Sequence, residues 1–178
     1  MPARLLRFRG EVSNREEGDR LLEAPGDAVM VHRGVIRSLL LKCPDGCGEN
    51  SSINLDPRAG KVWGIDTRGG QITLYPSVWR EGGCKSHFIL WRGKIVWSER
   101  YDRGNIEPDY DSKLETLLLS ALTDTFRTSV DLAGQLDEIP WDVSRAGHVL
   151  VRRGLAECGG RDLSSFRRKA APKVERFA

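Results

Sequence analysis

Three cysteines and a histidine stand in paired spacings in this chain. Cys43-Pro-Asp-Gly-Cys47 is a C-x3-C knuckle, and Cys84-Lys-Ser-His87 is a C-x2-H pair about forty positions on. Thiolate and imidazole are the donors that zinc prefers in a tetrahedron, and two short-spaced pairs on two turns can supply four of them. Gly46 and Gly48 let the backbone turn tightly around the first pair, and Gly82 and Gly83 do the same before the second. Such turns aim amide N–H groups at thiolate sulfur and stabilise the charged form. The spacing therefore predicts a Zn2+ site made of Cys43, Cys47, Cys84 and His87. The alternative is three unpaired buried cysteines and a satisfied core histidine.

Four protein ligands make a closed site, and closed zinc sites are usually structural. A hydrolytic zinc needs an open position for water and a nearby general base. Asp45 and Glu49 lie within and just after the first knuckle, so either can approach a bound water. Glu49 is the candidate base. Ser77 and Ser86, close in sequence to the second pair, are candidates for orienting water or substrate. His32 and His148 match no ligand spacing, and Cys158 reads as a small apolar filler.

The elements that must position these residues change character along the chain. As far as about Arg100 the texture is β. Arg4–Phe8, Ala28–His32, Val35–Lys42, Ser51–Leu55, Lys61–Thr67, Gln71–Tyr75, His87–Trp91 and Ile95–Ser98 are short runs rich in Val, Ile, Leu, Trp and Thr. Arg92-Gly93-Lys94 reads as a hairpin tip, and Arg68-Gly69-Gly70 as a second turn. Such strands suggest an antiparallel sheet folded on itself. Residues 101–110 are polar, contain Gly and Pro, and read as a linker. Beyond it the period becomes helical. Leu114, Leu117, Leu118 and Ala121 fall on one face of a first helix. Thr128 or Ser129 caps a second helix, and Pro140 suits the first turn of a third that Gly154 stops. Leu155–Cys158 and Leu163–Phe166 flank Gly159-Gly160-Arg161 as a small β wing. The expected fold class is α+β: an antiparallel all-β zinc-binding domain over 1–100, a linker over 101–110, a winged helix-turn-helix-like domain over 111–168 and a basic tail over 169–178.

Charge restricts the partners. The chain carries 28 Lys and Arg against 25 Asp and Glu, a net +3 over 178 residues. Asp137, Glu138 and Asp142 put negative charge beside the third helix, whose outward candidates are Trp141, Asp142, Ser144, Arg145 and His148. DNA binding there is expected to be weak, because affinity depends on neutralising phosphates. No run approaches the roughly 18 apolar residues of a membrane helix. The N-terminus has charges inside its apolar stretch and lacks the apolar core of a signal peptide. The expectation is a cytoplasmic protein, where cysteines serve as metal ligands more often than as disulfides.

Cys43-Pro-Asp-Gly-Cys-Gly-Glu, Ile53-Asn-Leu, Lys61-Val-Trp, Leu74-Tyr-Pro-Ser-Val, Gly83-Cys-Lys-Ser-His-Phe-Ile and Ile95-Val-Trp together resemble a bacterial family of small zinc-knuckle proteins. These are often encoded beside ubiquitin-like conjugation genes. The matching motifs cover about Leu39–Ser98. Members more often carry a further Cys where this chain has Asp45. The resemblance implies a zinc-dependent peptidase that trims a ubiquitin-like precursor or removes the ubiquitin-like protein from its targets, with E1-like and E2-like companions. The rival expectation is a non-catalytic module, in which zinc only fixes turns and the C-terminal domain docks protein or DNA.

Overall fold

The computed structural model describes residues 2–98, 107–161 and 164–170. The chain divides between Pro108 and Asp109 into two compact units.

The first unit starts with strand β1 (Arg7–Val12) and a short helix α1 (Arg15–Arg20), followed by β2 (Asp27–Arg33), β3 (Val35–Lys42) and β4 (Asn50–Asn54). These four strands form one sheet in the order β1-β2-β3-β4. Alternation along β2 and β3 gives the sheet two apolar faces. Ala28, Met30, Leu39 and Leu41 face the main core, with Ile53, Leu74, Phe88, Leu90 and Trp97. Val29, Val31 and Leu40 face the other way and pack with Leu22 and Val12. Helix α1 covers this second face. A Cβ on Gly18 would lie 2.5 Å from Leu40 Cδ1, so only glycine lets the helix sit so close.

In this part of the unit, two elements depart from the sequence expectation. The strand expected at Arg4–Phe8 is shifted to Arg7–Val12, and it pairs with β2 in parallel, not antiparallel. Helix α1 was not expected. Its N-cap is Asn14, whose side chain accepts from the Glu17 N–H, while Glu17 accepts weakly from Ser13 N–H. The parallel pairing is held by charge. Asp27 is fully buried and receives Arg7 Nε at 2.8 Å and Arg9 Nε at 3.0 Å from the neighbouring strand. It also accepts the backbone N–H groups of Glu23 and Ala24.

The rest of the first unit is made of small sheets. β5 (Gly64–Asp66) pairs with β6 (Thr73–Tyr75), and β7 (Val78–Trp79), β8 (His87–Trp91) and β9 (Lys94–Trp97) form a three-stranded antiparallel sheet in that order. β5 is shorter than the expected Lys61–Thr67, and β7 was not expected. The β8–β9 hairpin turns at Arg92 and Gly93, both at positive φ, with Trp91 opposite Lys94.

The second unit contains α2 (Lys113–Ala121), β10 (Arg127–Thr128), α3 (Ser129–Leu136), α4 (Pro140–Arg152), β11 (Ala156–Gly159) and β12 (Ser165–Arg168). The last two strands and β10 make a sheet in the order β10-β12-β11. Its core gathers Leu114, Leu118, Leu132, Val143, Leu150 and Phe166. Cys158 packs at its edge. The α+β class is therefore observed at the level of β-sheets first, helices with a small sheet second. The outward candidates on α4 are not free. Asp142 is buried, Arg145 lies over the Tyr110 ring at 5.3 Å, and His148 meets Phe166 edge-on at 5.2 Å. Residues 101–106, Leu163 and 171–178, which include most of the expected linker and basic tail, lie outside the described residues. Among the described residues no helix is long and apolar enough to cross a membrane.

Two stability predictions follow from these contacts. Burial alone would raise the Asp27 carboxyl. The Ala24 N–H and the two arginines overcome it and hold the pKa down to about 2. A lowered carboxylate pKa contributes stability above the unfolded value near 4, and that stability is lost as pH falls toward 2. Asp27→Ala should cost about 3 kcal/mol at pH 7 and flatten the acid limb of the stability curve between about pH 4 and 2, read by denaturant melts. In the second unit, a Cβ on Gly147 would meet the buried Phe166 ring at 2.7 Å. Gly147→Ala should destabilise that unit by about 1–3 kcal/mol despite alanine's better helix propensity, measured in the same way.

Candidate active site

The first knuckle lies in the turn between β3 and β4. Cys43 N–H donates to Glu49 O at 2.8 Å and Gly46 N–H to Cys43 O at 3.1 Å. Gly46 and Gly48 both sit at φ of 88°, a conformation that side chains resist. Of the second pair, Cys84 lies in the loop from β7 to β8 and His87 is the first residue of β8. These two turns meet. Cys43 Sγ is 3.6 Å from Cys84 Sγ, and the sulfurs of Cys43, Cys47 and Cys84 all lie within 4.8 Å of one another. Thiolates on a tetrahedral zinc, each bonded at about 2.3 Å, stand about 3.8 Å apart, so this donor set and spacing fit zinc. Three of the four expected ligands are thus brought together. His87 falls outside the group.

His87 is engaged elsewhere. Its Nε2 is 3.0 Å from Ser77 Oγ. The reason is strand periodicity. Ser86 and His87 are successive residues entering β8, so their side chains leave on opposite faces. Ser86 is buried, with its hydroxyl 3.7 Å from Cys43 Sγ, while half-buried His87 turns to Ser77. Ser77 itself enters β7, whose Trp79 pairs with His87 across the hairpin. Its carbonyl accepts the Trp63 indole N–H at 3.2 Å. A serine hydroxyl on an imidazole nitrogen is the nucleophile–base pair of acyl-transfer chemistry.

Electrostatics separate the two centres. Burial pushes the Cys43 thiol up, against the opposing Asp45 amide, Ser86 hydroxyl and Arg80. For Cys84 burial also raises the pKa, but hydrogen bonds from the Ser86 hydroxyl and amide and from the other two cysteines bring it down to about 7. Arg80 caps the sulfurs, with Nη1 3.4 Å from Cys47 Sγ and 3.8 Å from Cys84 Sγ. Its other terminal nitrogen pairs with Glu49. Glu49, the expected base, is therefore bound to a guanidinium that also serves the cysteines, and its pairing raises the arginine pKa further. Asp45 contributes its backbone N–H to Cys43. Arg80 and Trp79 were missed from sequence. The signal for Arg80 was a cation four residues before Cys84; Trp79 gave none.

Residues 14–98, just under half of the chain, match the model of a family described as the bacterial ubiquitination-like system serine protease, BubE. The matched stretch contains the three cysteines, Ser77 and His87. No curated protein and no solved structure matches the chain. The chain is thus similar to a protease family of a ubiquitination-like system whose description names a serine, not a metal, as the catalytic group.

The cysteine cluster should carry one zinc per chain by elemental analysis, and Cys84→Ser should lose it. Because every ligand thiol must shed its proton, and burial pushes that of Cys43 up while Cys84 stands near 7, zinc affinity should fall steadily as pH drops from about 9 to 6, as followed by competition with a chromophoric chelator. Affinity that is flat from pH 8 to pH 6 would contradict this assignment.

Proposed function

We propose that this protein is a serine peptidase of a bacterial ubiquitination-like system, cleaving a ubiquitin-like protein from a precursor or from its conjugates. The observation that carries the reading is the 3.0 Å contact between Ser77 Oγ and His87 Nε2, inside the segment similar to the serine protease family. In this reading His87 takes the Ser77 proton as Oγ attacks the carbonyl at the end of the ubiquitin-like chain. The imidazolium then returns that proton to the leaving amine, and water resolves the acyl-serine by the same route. The catalytic role thus moves from metal-bound water, with Glu49 as base, to Ser77. Ser86 becomes a hydrogen-bond partner of the cysteine cluster.

Zinc on Cys43, Cys47 and Cys84 would supply cross-linking of two turns, with His87 left for catalysis. Arg80 offsets the negative charge of three thiolates. The E1-like and E2-like companions remain the expected partners. For the second unit we favour protein docking over DNA, because Arg145 and His148 on α4 are already packed against aromatic rings.

The test is cleavage of a fusion between the system's ubiquitin-like protein and a reporter. Ser77→Ala should lose at least about 10³-fold in kcat/KM, and His87→Gln about 10²–10⁴-fold, with zinc content kept in both. Glu49→Gln should lose less than about tenfold, below the worth of a general base. Full activity in Ser77→Ala would overturn the proposal.

A further inference from the structure

Trp79 is 62% exposed, and it stands directly across the β7–β8 hairpin from His87. The ring centroids are 6.1 Å apart with planes at 39°. Ser77 and Trp79 are two residues apart along an extended segment, so they share a face, while Val78 between them is buried in the core. Ser77, His87 and Trp79 therefore form one surface. Single exposed apolar side chains are ordinary. This one differs because its indole flanks the imidazole of a nucleophile–base pair. It also lies on the edge strand of its sheet, where the side of β7 away from β8 pairs with no strand among the described residues.

The chemistry decides which part of a substrate lies there. The imidazole must deliver its proton to the leaving amine, so the residue that carries this amine has to lie against His87. Trp79 is the aromatic group that flanks this imidazole, so it is placed to meet the side chain of that residue. An indole face binds apolar side chains through area and dispersion, and offers nothing to a carboxylate. We infer that Trp79 is the specificity-determining residue for the leaving-group side: it binds an apolar side chain on the residue immediately after the scissile bond, in a substrate segment laid extended along β7. Extended segments commonly dock on exposed strand edges. The inference rests on the serine peptidase reading above, and names the substrate feature that this site selects.

The experiment uses the full chain and a set of fusions. In each, the system's ubiquitin-like protein is followed by Leu, Phe, Gly or Asp and then a reporter. The parent should cleave the Leu and Phe fusions with kcat/KM about tenfold above the Gly and Asp fusions, the worth of one good apolar contact. Trp79→Ala should flatten this ratio, and Trp79→Phe should retain most of it. The ratio is read between substrates within one variant, so a general loss of activity or fold does not mimic the effect. A parent with no apolar preference, or a Trp79→Ala variant that keeps the parent's ratio, overturns the inference while leaving the peptidase reading standing. Absence of any cleavage by the parent, or cleavage that survives Ser77→Ala, overturns the peptidase reading and the inference with it.

Discussion

The first unit depends on one contact between distant parts of the chain: the meeting of the β3–β4 turn with the β7–β8 loop at three cysteine sulfurs. Cys43 and Cys84 are 41 residues apart, yet their sulfurs are 3.6 Å apart. Closing such a loop costs chain entropy, which the burial of Val78 and Phe88 with Leu39 and Leu41 in one core offsets. Gathering three thiols at one point adds a charge cost that positive charge beside them relieves. Arg80 supplies part of that charge from within the loop itself, and a zinc ion would supply more. Once the loop is fixed, β7 and β8 emerge from it as a short hairpin with a set register. That register puts His87 across from Trp79 and within reach of Ser77. The cysteine cluster and the Ser77–His87 contact thus share one scaffold.

The allegiance of His87 separates two kinds of enzyme. A histidine bound to the metal leaves Ser77 without a base and directs attention to metal-bound water. A histidine bound to Ser77 makes a nucleophile and leaves a three-thiolate centre. The C-x2-H spacing suggests the first arrangement when read as a linear motif. The strand instead sets the His87 ring beside Ser77, because side chains alternate once β8 begins. Ser86 takes the inward direction that the spacing assigned to its neighbour. Glu49 shows the same effect of context. It lies near the cysteines, as its position after Cys47 implies, but Arg80 occupies its carboxylate.

Much of the architecture was legible in local patterns. Short runs rich in Val, Ile, Leu, Trp and Thr, set off by turn residues, located β2, β3, β4, β8 and β9, and Arg92-Gly93 fixed the hairpin turn. The helical period after residue 110 located α2, α3 and α4. What local pattern could not show was pairing across distance. β1 runs parallel to β2 through a crossover that contains α1, and Arg7 and Arg9 clamp the pair to Asp27; neither is visible to periodicity. Helix α1 had a readable signal in Asn14 and Glu17, a capping box that its short and charged sequence obscured. β7, only two residues long, has no pattern of its own and exists through its pairing with β8. Asp142 was placed outward by its charge and is buried, because helix α4 presents it together with Val143 and Ala146 to the core.

X-ray absorption at the zinc edge of the zinc-loaded protein tests the division of labour most directly. Three sulfur ligands, no imidazole scattering and a spectrum unchanged by His87→Gln are expected. An imidazole contribution that disappears in His87→Gln would place the histidine on the metal, and would contradict the assignment of His87 to Ser77.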